Sequence, residues 1–401
     1  MTNKGTERFR PLLTLIRRRK TMKASINVDD LKRMLKNADK ITDGRGSSES
    51  VSGKIVLSVH DGKFEVFALS TIDRTTELSQ WVEVADVYDD DFECVCAVED
   101  GAWTVSAKAL APLKAAKKGS AVVISGDDGK VSLTSPGMAF SVNAEQGIFG
   151  GTYLPAKFGD ALASVELLPA DCDGFRFCAP ALSDDITRPD FTGALIRRGA
   201  LTATDGHRLH YYPLAGLIQE GEFKGIVNPK IVNFIAGGAY GRLNERRCGA
   251  DLWHVLEATG MRLAGCAIRG QFPDFSRVIP RYKADEVTGL MPRVLAEAVK
   301  PLCAGWKTST LYIQRSSKGG AYFQCVPWGK NEGEPPRSCH YPYEENWPEE
   351  RIGLNPLYLL DALRGRDGAL NFCHIDSDSP LWVGIWENGV YGLGAIIMPM
   401  V

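Results

Sequence analysis

The sequence lacks several features that mark common protein classes. It has ten cysteines, but only Cys94 and Cys96 lie close together, so neither the C-x-x-C spacing of a zinc site nor a secreted disulfide scaffold is indicated. No apolar run reaches the roughly 18 residues that a transmembrane helix needs. Lysine plus arginine number 47 and aspartate plus glutamate number 49, so affinity for nucleic acid would require cations gathered on one face. We therefore expect a cytoplasmic protein with reduced thiols and without a metal, a cofactor or a membrane span.

The first 21 residues are basic and include the run R-F-R-P-L-L-T-L-I-R-R-R-K. Because the apolar centre of this run is too short for the core of a secretory signal, we do not expect residues 1–21 to be one. We interpret residues 1–21 as a disordered basic tail, or as sequence that precedes a start at Met22. The alternative is a basic arm that touches phosphates or a partner.

Three similar segments recur at intervals of about 120 to 130 residues, which indicates an internal repeat. They read V-S-A-K-A-L from Val105, V-N-P-K-I-V from Val227 and L-N-P-L-Y-L from Leu354. Each has an apolar residue, a small polar cap and Ala or Pro before apolar residues at helical spacing, so each predicts the start of a helix.

Alternating segments separated by D-G and similar turns lie between these helices and predict antiparallel strands. We therefore predict an α+β fold of three repeated domains, each with two helices packed on antiparallel sheet. After the 1–21 tail, the repeat phase gives domains at residues 22–163, 164–285 and 286–401. The segments from Ile26 and Val287 continue as amphipathic helices, whereas we expect Asp171, Asp173 and Gly174 to interrupt the corresponding helix of the second repeat.

Lysine and arginine recur along the predicted helices, as at Lys32, Arg33 and Lys36. One interpretation is a solvated surface. The other is a face that contacts phosphates. Because such cations recur in different repeats, we give the two interpretations equal weight.

The stretch A-L-T-A-T-D-G-H-R-L-H-Y-Y, from Ala200 to Tyr212, places Asp205 and His207 one glycine apart. Acid–base catalysis by this pair would need a nucleophile or metal and an orienting third group, and the sequence offers neither in a recognisable context. The alternative is a tight turn in which Gly206 takes a positive φ and His207, Arg208 and Leu209 leave the turn on the surface. We favour the turn.

Five segments together resemble the beta sliding clamp of bacterial DNA polymerase III, a family of three-domain chains that dimerise into a ring around duplex DNA. They are T-A-T-D-G-H-R-L (Thr202–Leu209), D-I-T-R-P-D-F-T-G (Asp185–Gly193), Q-F-P-D-F-S-R-V-I-P (Gln271–Pro280), G-L-N-P-L-Y-L-L-D-A-L (Gly353–Leu363) and I-I-M-P-M (Ile396–Met400). The resemblance implies three DNA-clamp domains that assemble as a head-to-tail ring, without enzymatic activity.

The resemblance also implies a pocket between the second and third domains for short linear peptides of polymerases and repair proteins. Methionine and proline would form an adaptable apolar floor, with donors at the rim. The residues carried over are Phe191, Thr204, Gly206, His207, Arg208, Leu209, Pro273, Arg277, Val278, Pro380, Ile396, Met398, Pro399 and Met400.

DNA contact by a sliding ring needs cations around a pore and no base-specific readers. The resemblance places Arg188 on the side that would face DNA, and we predict this role for Lys32, Arg33, Lys36, Arg45 and Arg188, although an internal salt bridge is the alternative for Arg188. The resemblance assigns the homodimer contact to Phe140 and Val142 on an edge strand of the first domain and to Leu302 and Cys303 of a third-domain helix.

Two features depart from the family pattern. Pro301 lies beside the implied dimer contact, and residues 326–351 are rich in proline and charge where the family has regular strand. We expect a remodelled outer loop there, and a divergent clamp overall, carried by a host, a phage or a mobile element.

We therefore predict a processivity factor that a clamp loader places on double-stranded DNA and that tethers polymerase and other clients. One alternative is a clamp-like decoy that binds the same peptides without acting as a loaded ring. The others are a hydrolase that uses Asp205 and His207 and a monomeric nucleic-acid-binding protein that uses the basic helix faces.

Overall fold

The computed structural model describes residues 21–42, 53–70, 76–84, 87–88, 94–96, 98–149, 156–216, 218–279, 287–342, 347–387 and 390–400. The predicted tail up to residue 20 and Arg45 lie outside these ranges. The chain divides into two compact units. Unit 1 comprises Met1–Ala161 and Gly241–Cys266, and unit 2 comprises Leu162–Tyr240 and Ala267–Val401.

Five α-helices lie in the described residues: α1 Val28–Ile41, α2 Asp171–Cys178, α3 Pro229–Ala236, α4 Pro292–Cys303 and α5 Pro356–Leu363. Asparagine side chains cap three of them, because Asn27, Asn228 and Asn355 each accept a hydrogen bond from the backbone N–H two residues later. Proline occupies the first position of α3 and α5, where its missing N–H costs nothing. The two N-P repeat segments therefore begin helices as predicted.

The strands of the first half are β1 Met22–Asn27, β2 Lys54–His60, β3 Lys63–Ser70, β4 Thr76–Glu83, β5 Val87–Tyr88, β6 Cys94–Cys96, β7 Gly101–Ser106, β8 Ala121–Asp127, β9 Lys130–Ser135, β10 Met138–Gln146, β11 Ala161–Glu166, β12 Leu195–Arg197 and β13 Ala200–Thr204. Those of the second half are β14 Arg208–Pro213, β15 Ile218–Glu220, β16 Arg242–Cys248, β17 Asp251–Ala258, β18 Met261–Cys266, β19 Val287–Leu290, β20 Ser309–Arg315, β21 Ala321–Pro327, β22 Arg337–Tyr341, β23 Ile352–Leu354, β24 Leu370–Cys373, β25 Leu381–Glu387 and β26 Val390–Ile397.

Unit 1 is built on one antiparallel sheet in the order β1-β8-β9-β10-β7-β2-β3-β4-β18-β17-β16. Helix α1 packs on it, and buried residues three or four positions apart, such as Leu31, Met34 and Ala38, line its inner face. The amide of Gln80 on β4 donates to the Met34 carbonyl at 2.9 Å and ties the helix to the sheet.

Unit 2 contains a seven-stranded sheet, β12-β13-β14-β26-β25-β24-β19, and a four-stranded sheet, β22-β21-β20-β23. Helices α2 and α3 pack on each other, as do α4 and α5. The buried indole of Trp347 contacts the rings of Phe323, Tyr341 and Phe372, with ring centroids 5.3–5.9 Å apart. The predicted α+β class with mostly antiparallel sheet is confirmed.

Helix α2 corrects the expectation that Asp171, Asp173 and Gly174 interrupt the helix of the second repeat. Its first turn contains all three residues. The buried Asp171 carboxylate accepts hydrogen bonds from the backbone N–H groups of Leu168 at 2.7 Å and Ala215 at 2.6 Å. This aspartate therefore stabilises the helix start and does not break it.

Two other segments also differ from expectation. The first repeat segment, V-S-A-K, forms a 3-10 helix over Ala107–Ala115, in which Pro112 has no N–H to donate and Ser106 makes no capping hydrogen bond. Residues 326–351 are not wholly a loop, because strand β22 lies within them and pairs with β21 from Ala321↔Tyr341 to Cys325↔Arg337.

Strand β18 pairs with β4, for example Leu263↔Leu78, and this pairing joins Gly241–Cys266 to the N-terminal part of unit 1. The three-domain boundaries at residues 163 and 285 stay a prediction. Within the described part of the chain, no helix has the length and apolar character to cross a membrane.

Candidate functional site

The Asp205–His207 segment is a tight turn between β13 and β14. Gly206 has a φ of 92°, a region that glycine adopts without strain. The Thr204 hydroxyl accepts a hydrogen bond from the Gly206 N–H at 3.1 Å and donates to the Arg208 carbonyl at 2.6 Å. The interpretation as a turn is therefore confirmed, and the Thr204 hydroxyl is engaged inside it.

The Asp205 carboxylate is occupied by this turn. Its Oδ1 accepts from the backbone N–H groups of His207 at 2.9 Å and Arg208 at 3.0 Å, and its Oδ2 accepts from Nε of Arg208 at 3.0 Å. The exposed His207 ring makes no hydrogen bond to this carboxylate, so the geometry gives no support to a hydrolase that uses the pair.

Arg208 holds the turn to the rest of unit 2, which corrects the expectation of a rim donor. Besides Asp205, its guanidinium donates to Oδ2 of Asp361 at 2.7 Å and to the Pro180 carbonyl. It also lies over the ring of Tyr358, 4.3 Å from the centroid. The side chain is only 10% exposed. Arg208 is thus a structural residue of the site, and few of its N–H groups point to solvent.

The C-terminal segment crosses directly behind the turn. Strand β26 pairs with β14 from Arg208↔Ile397 to Tyr211↔Gly394, and the Met398 N–H continues the ladder by donating to the His207 carbonyl at 2.9 Å. Met398, Pro399 and Met400 are each half-buried. The structure therefore brings the T-D-G-H-R-L and I-I-M-P-M motifs, far apart in the sequence, to one place.

Met400 is also held by strand β23. Its N–H donates to the Gly353 carbonyl at 2.9 Å, and its sulfur accepts from the Thr310 hydroxyl at 3.8 Å. A Cβ at position 353 would lie 2.8 Å from the Met400 carbonyl, so the close approach of the two backbones requires glycine.

Leu209 and Ile396 form the base of the site and are buried, which corrects the expectation that Leu209 leaves the turn on the surface. They cluster with the buried Cys373 and Trp382, and Val278 packs against the cluster as a half-buried residue. Val278, Met398 and Met400 are therefore among the predicted apolar residues that retain solvent-facing surface.

The predicted site residues of the Gln271–Pro280 segment lie beside this base. Pro273 is half-buried, and its neighbour Phe272 packs in a second cluster with Leu195, Ile226 and Ile268. Half-buried Phe275 packs against both clusters. The side chain of Arg277 lies outside the described residues, and Pro380 is half-buried at the end of the 375–380 turn.

Arg188 is placed next to the turn and forms the salt bridge given as its alternative. Its Nε donates to Oδ2 of Asp185 at 2.9 Å, and its guanidinium stacks over Phe191, 5.0 Å from the ring centroid. Hydrogen bonds to the Asp185 carboxylate lower its pKa; the bond from Thr187 has the largest effect, followed by the bond from Arg188. One guanidinium nitrogen of Arg188 lies 3.3 Å from the position of a Cβ at Gly206. A DNA contact by Arg188 stays a prediction.

Three further predicted DNA-binding residues, Lys32, Arg33 and Lys36, lie on α1. Arg33 and Lys36 are exposed, and Arg33 pairs with Asp30 at 2.7 Å. Lys32 is half-buried and donates to the carbonyls of Lys114 and Ala116, at the end of the 3-10 helix. Arg33 and Lys36 thus present charge to solvent, whereas Lys32 also stabilises the packing of α1.

The predicted dimer residues differ in accessibility. Strand β10 pairs with β9 over Met138–Asn143 and with β7 only over Ala144–Gln146, so in the described chain its first six residues have one partner strand. Phe140 on this edge is half-buried and Val142 is buried. Leu302 and Cys303 are both buried on α4. A dimer contact by these residues stays a prediction.

His210, behind the turn, is buried and stacks on Phe177 with ring centroids 4.5 Å apart. Its Nδ1 lies 2.6 Å from the Phe177 carbonyl, so Nδ1 carries the proton. Burial lowers the pKa of His210 to about 3, with smaller contributions from Arg208 and Arg366. The imidazole is therefore neutral in the folded protein across the physiological range.

This pKa predicts a loss of stability in acid. The pKa of His210 in the folded state lies below its unfolded value of about 6.5. The contribution of this residue to the free energy of unfolding is therefore fully present above pH 6.5 and is lost as the pH drops towards 3. Between pH 7 and pH 5 we expect wild type to lose about 2 kcal/mol more than His210→Asn, whose amide still donates to Phe177. Urea unfolding followed by tryptophan fluorescence at the two pH values measures this, and equal losses would contradict it.

Three contributors to the site were not predicted from the sequence, although two of them lie in the Gly353–Leu363 segment. Tyr358 and Asp361 of α5 hold Arg208, and the Pro180 carbonyl completes its binding. The only available signal was the polar pair Tyr358 and Asp361 within the apolar helix L-N-P-L-Y-L-L-D-A-L. Burial raises the pKa of the Tyr358 hydroxyl most, and the negative charge of Asp205 raises it further.

No protein-family model and no curated protein sequence matches the chain. Several solved structures match the chain. A Pseudomonas aeruginosa sliding clamp (DNA polymerase III subunit beta) bound to griselimycin is 19% identical with a TM-score of 0.74, covering 95% of this chain and 99% of that one. The Bartonella birtlesii clamp bound to griselimycin (18%, TM-score 0.72) and the Helicobacter pylori beta clamp bound to DNA ligase peptide (18%, 0.71) each match over 95% of this chain and 100% of their own. The chain therefore has the fold of the DNA polymerase III beta sliding clamps, as its motifs suggested.

Proposed function

We propose that the protein is a DNA sliding clamp, a homodimer that encircles duplex DNA and tethers polymerase and other clients through the turn and the C-terminal segment. The observation that carries this is the hydrogen bond from the Met398 N–H to the His207 carbonyl, at 2.9 Å. It joins, in one surface, the two motifs by which the sequence most resembles sliding clamps.

The surface suits a short extended peptide. Val278, Met398 and Met400 offer apolar area over a buried base, and flexible methionines adapt to different side chains. Two apolar anchors at roughly 1.5 to 3 kcal/mol each leave only micromolar affinity after the cost of association. Weak, exchangeable binding fits a platform that several clients use in turn.

DNA binding on this proposal is electrostatic and independent of sequence. Arg33 and Lys36 carry exposed charge on α1, and phosphate contacts of this kind weaken as salt rises. A clamp loader would be needed to open a closed ring and place it on DNA.

The dimer contact is proposed to involve the free edge of β10. We expect Phe140→Asp to give monomers, because a charge on an interface edge strand has to be desolvated on assembly. Sedimentation velocity at micromolar concentration measures this, with Ala139→Asp, on the opposite strand face, as the control for a new charge. An unchanged dimer mass for Phe140→Asp would remove that residue from the interface.

The deciding experiment is the mass in solution, by light scattering and then by mass photometry down to nanomolar concentration. A dimer should be retained on nicked circular DNA after loading and released when that DNA is linearised. A monomer at all concentrations that still binds client peptides would favour the decoy instead. Peptide binding is tested with the DNA ligase peptide seen on the H. pylori clamp, labelled with fluorescein and called the probe peptide below.

A further inference from the structure

The four-stranded sheet of unit 2 has an outer face that the proposed function leaves unused. Strand alternation directs four side chains of β20 and β21 to this face, and together with Arg351, which directly precedes β23, they line a shallow depression of about 110 Å³. Tyr322 is 43% exposed, which is high for an aromatic residue in the middle of a sheet. We call this surface the tyrosine–arginine face; it consists of Tyr312, Gln314, Tyr322, Gln324 and Arg351.

Arg351 is held in position on this face. Its guanidinium carbon lies 3.7 Å from the centroid of the Tyr312 ring, and one nitrogen donates to Oε1 of Gln324 at 2.7 Å. No carboxylate of the described residues pairs with it, whereas nearby Arg315 is paired with Glu349 at 3.0 Å. The face thus presents a cation whose remaining N–H groups point to solvent, a ready partner for a carboxylate.

The face is continuous with the C-terminal segment of the peptide site. A Cβ at Gly353 would lie 2.8 Å from the Met400 carbonyl on one side and 3.1 Å from the Tyr312 ring on the other. Arg351 is two residues from Gly353, which is about 7 Å along an extended chain. A peptide that occupies the site at Met400 therefore reaches Arg351 with three or four further residues.

The face does not bind by adding a strand. Strands β20 and β21 have neighbours on both sides, since β20 pairs with β21 and β23, and β21 pairs with β20 and β22. Their backbone groups are used within the sheet. A ligand here has to be read by side chains, through contact with Tyr322 and through a charge-assisted hydrogen bond to Arg351.

We propose that the tyrosine–arginine face is an extension of the peptide site and binds an acidic segment that flanks the anchor residues of a client peptide. The proposal rests on the proposed function, because the anchor residues of the client bind at the proposed peptide site and the face binds only the residues that flank them. Clients with aspartate or glutamate three or four residues beyond the anchors bind more tightly than those with neutral or basic flanks.

Fluorescence anisotropy with the probe peptide tests this, using versions extended by Gly-Glu-Gly-Glu or Gly-Lys-Gly-Lys at either end. We expect the acidic extension at one end to tighten binding about three- to tenfold, as for a partly exposed ion pair on a fixed arginine. Arg351→Glu should abolish that gain and favour the lysine extension. Arg315→Glu, a matched charge reversal on the same sheet, should keep most of the gain.

The unextended probe peptide separates the two proposals. If it binds wild type and Arg351→Glu equally while neither acidic extension improves binding to wild type, the face is not an extension and the proposed function stands. If it fails to bind at all, both proposals are overturned. Binding of a short single-stranded oligonucleotide that Arg351→Glu removes would assign the face to nucleic acid and also overturn the inference.

Discussion

His207→Ala combined with removal of Met398–Val401 is expected to weaken binding of the probe peptide by at least 100-fold. The deletion removes the Met398 N–H that donates to the His207 carbonyl and the two methionines that offer apolar surface beside the turn. Two apolar contacts of roughly 1.5 to 3 kcal/mol each correspond to two orders of magnitude or more in Kd. Fluorescence anisotropy up to high micromolar protein concentration measures the loss.

The same variant should keep the mass and retention on circular DNA of the wild type. The predicted dimer residues Phe140 and Val142 lie in unit 1, and Leu302 and Cys303 lie on α4 of unit 2, outside the deleted segment. Arg197→Ala is the matched control, because Arg197 is an exposed residue on β12 of the same sheet, outside the predicted site. Equal loss of peptide binding and of oligomer mass would show that the pocket assignment is wrong.

The sequence predicted the parts of the fold that local chemistry decides. Asn228-Pro229 and Asn355-Pro356 begin helices because a capping side chain and a proline act within a few residues. The Asp205-Gly206 turn is local for the same reason, since its carboxylate bonds to the next two backbone N–H groups. Signals of this kind can be read from one chain without any knowledge of distant contacts.

The errors arose where distant residues decide the outcome. Asp171 looked like a helix breaker, but its buried carboxylate is satisfied by Ala215, far along the chain. Arg208 looked like a surface donor, but Asp361 and Tyr358 of α5 fold against it. Pairing across 153 positions leaves no trace in local spacing. The resemblance implied that the T-D-G-H-R-L and I-I-M-P-M motifs meet, and they do, but it could not say which side chains are exposed there.

Arg366 shows the same limit for the basic helix faces. It follows the last helix and would count as one more basic residue of these faces, but it lies half-buried over the rings of Phe177 and Tyr212, with its guanidinium 4.2 Å and 5.7 Å from their centroids. Burial lowers its pKa. A cation packed between aromatic rings contributes to the core of unit 2 and little to a phosphate-binding surface.

Arg208→Met is expected to destabilise the protein by about 3 kcal/mol, the largest effect on stability that we predict for a single residue of the site. Methionine fills most of the volume but leaves the carboxylates of Asp205 and Asp361, each 15% exposed, without their shared cation. The Pro180 carbonyl also loses its donor. Arg364 still pairs with Asp361 at 2.8 Å, which keeps the cost at the lower end of the range for a broken buried pair.

Urea unfolding at pH 7 measures this loss, and two further variants give it a physical cause. Arg364→Met removes a pair whose arginine is 68% exposed, so it should cost less than about 1 kcal/mol. Asp361→Asn combined with Arg208→Met should be at least about 1 kcal/mol more stable than the sum of the single changes predicts, because the second change removes a charge that the first left unpaired. Additive losses would mean that Arg208 stabilises the site through packing on Tyr358 and not through its ion pairs. In either case the turn that carries His207 is held by α5, so the position of the proposed peptide site depends on a helix that lies more than 140 residues further along the chain.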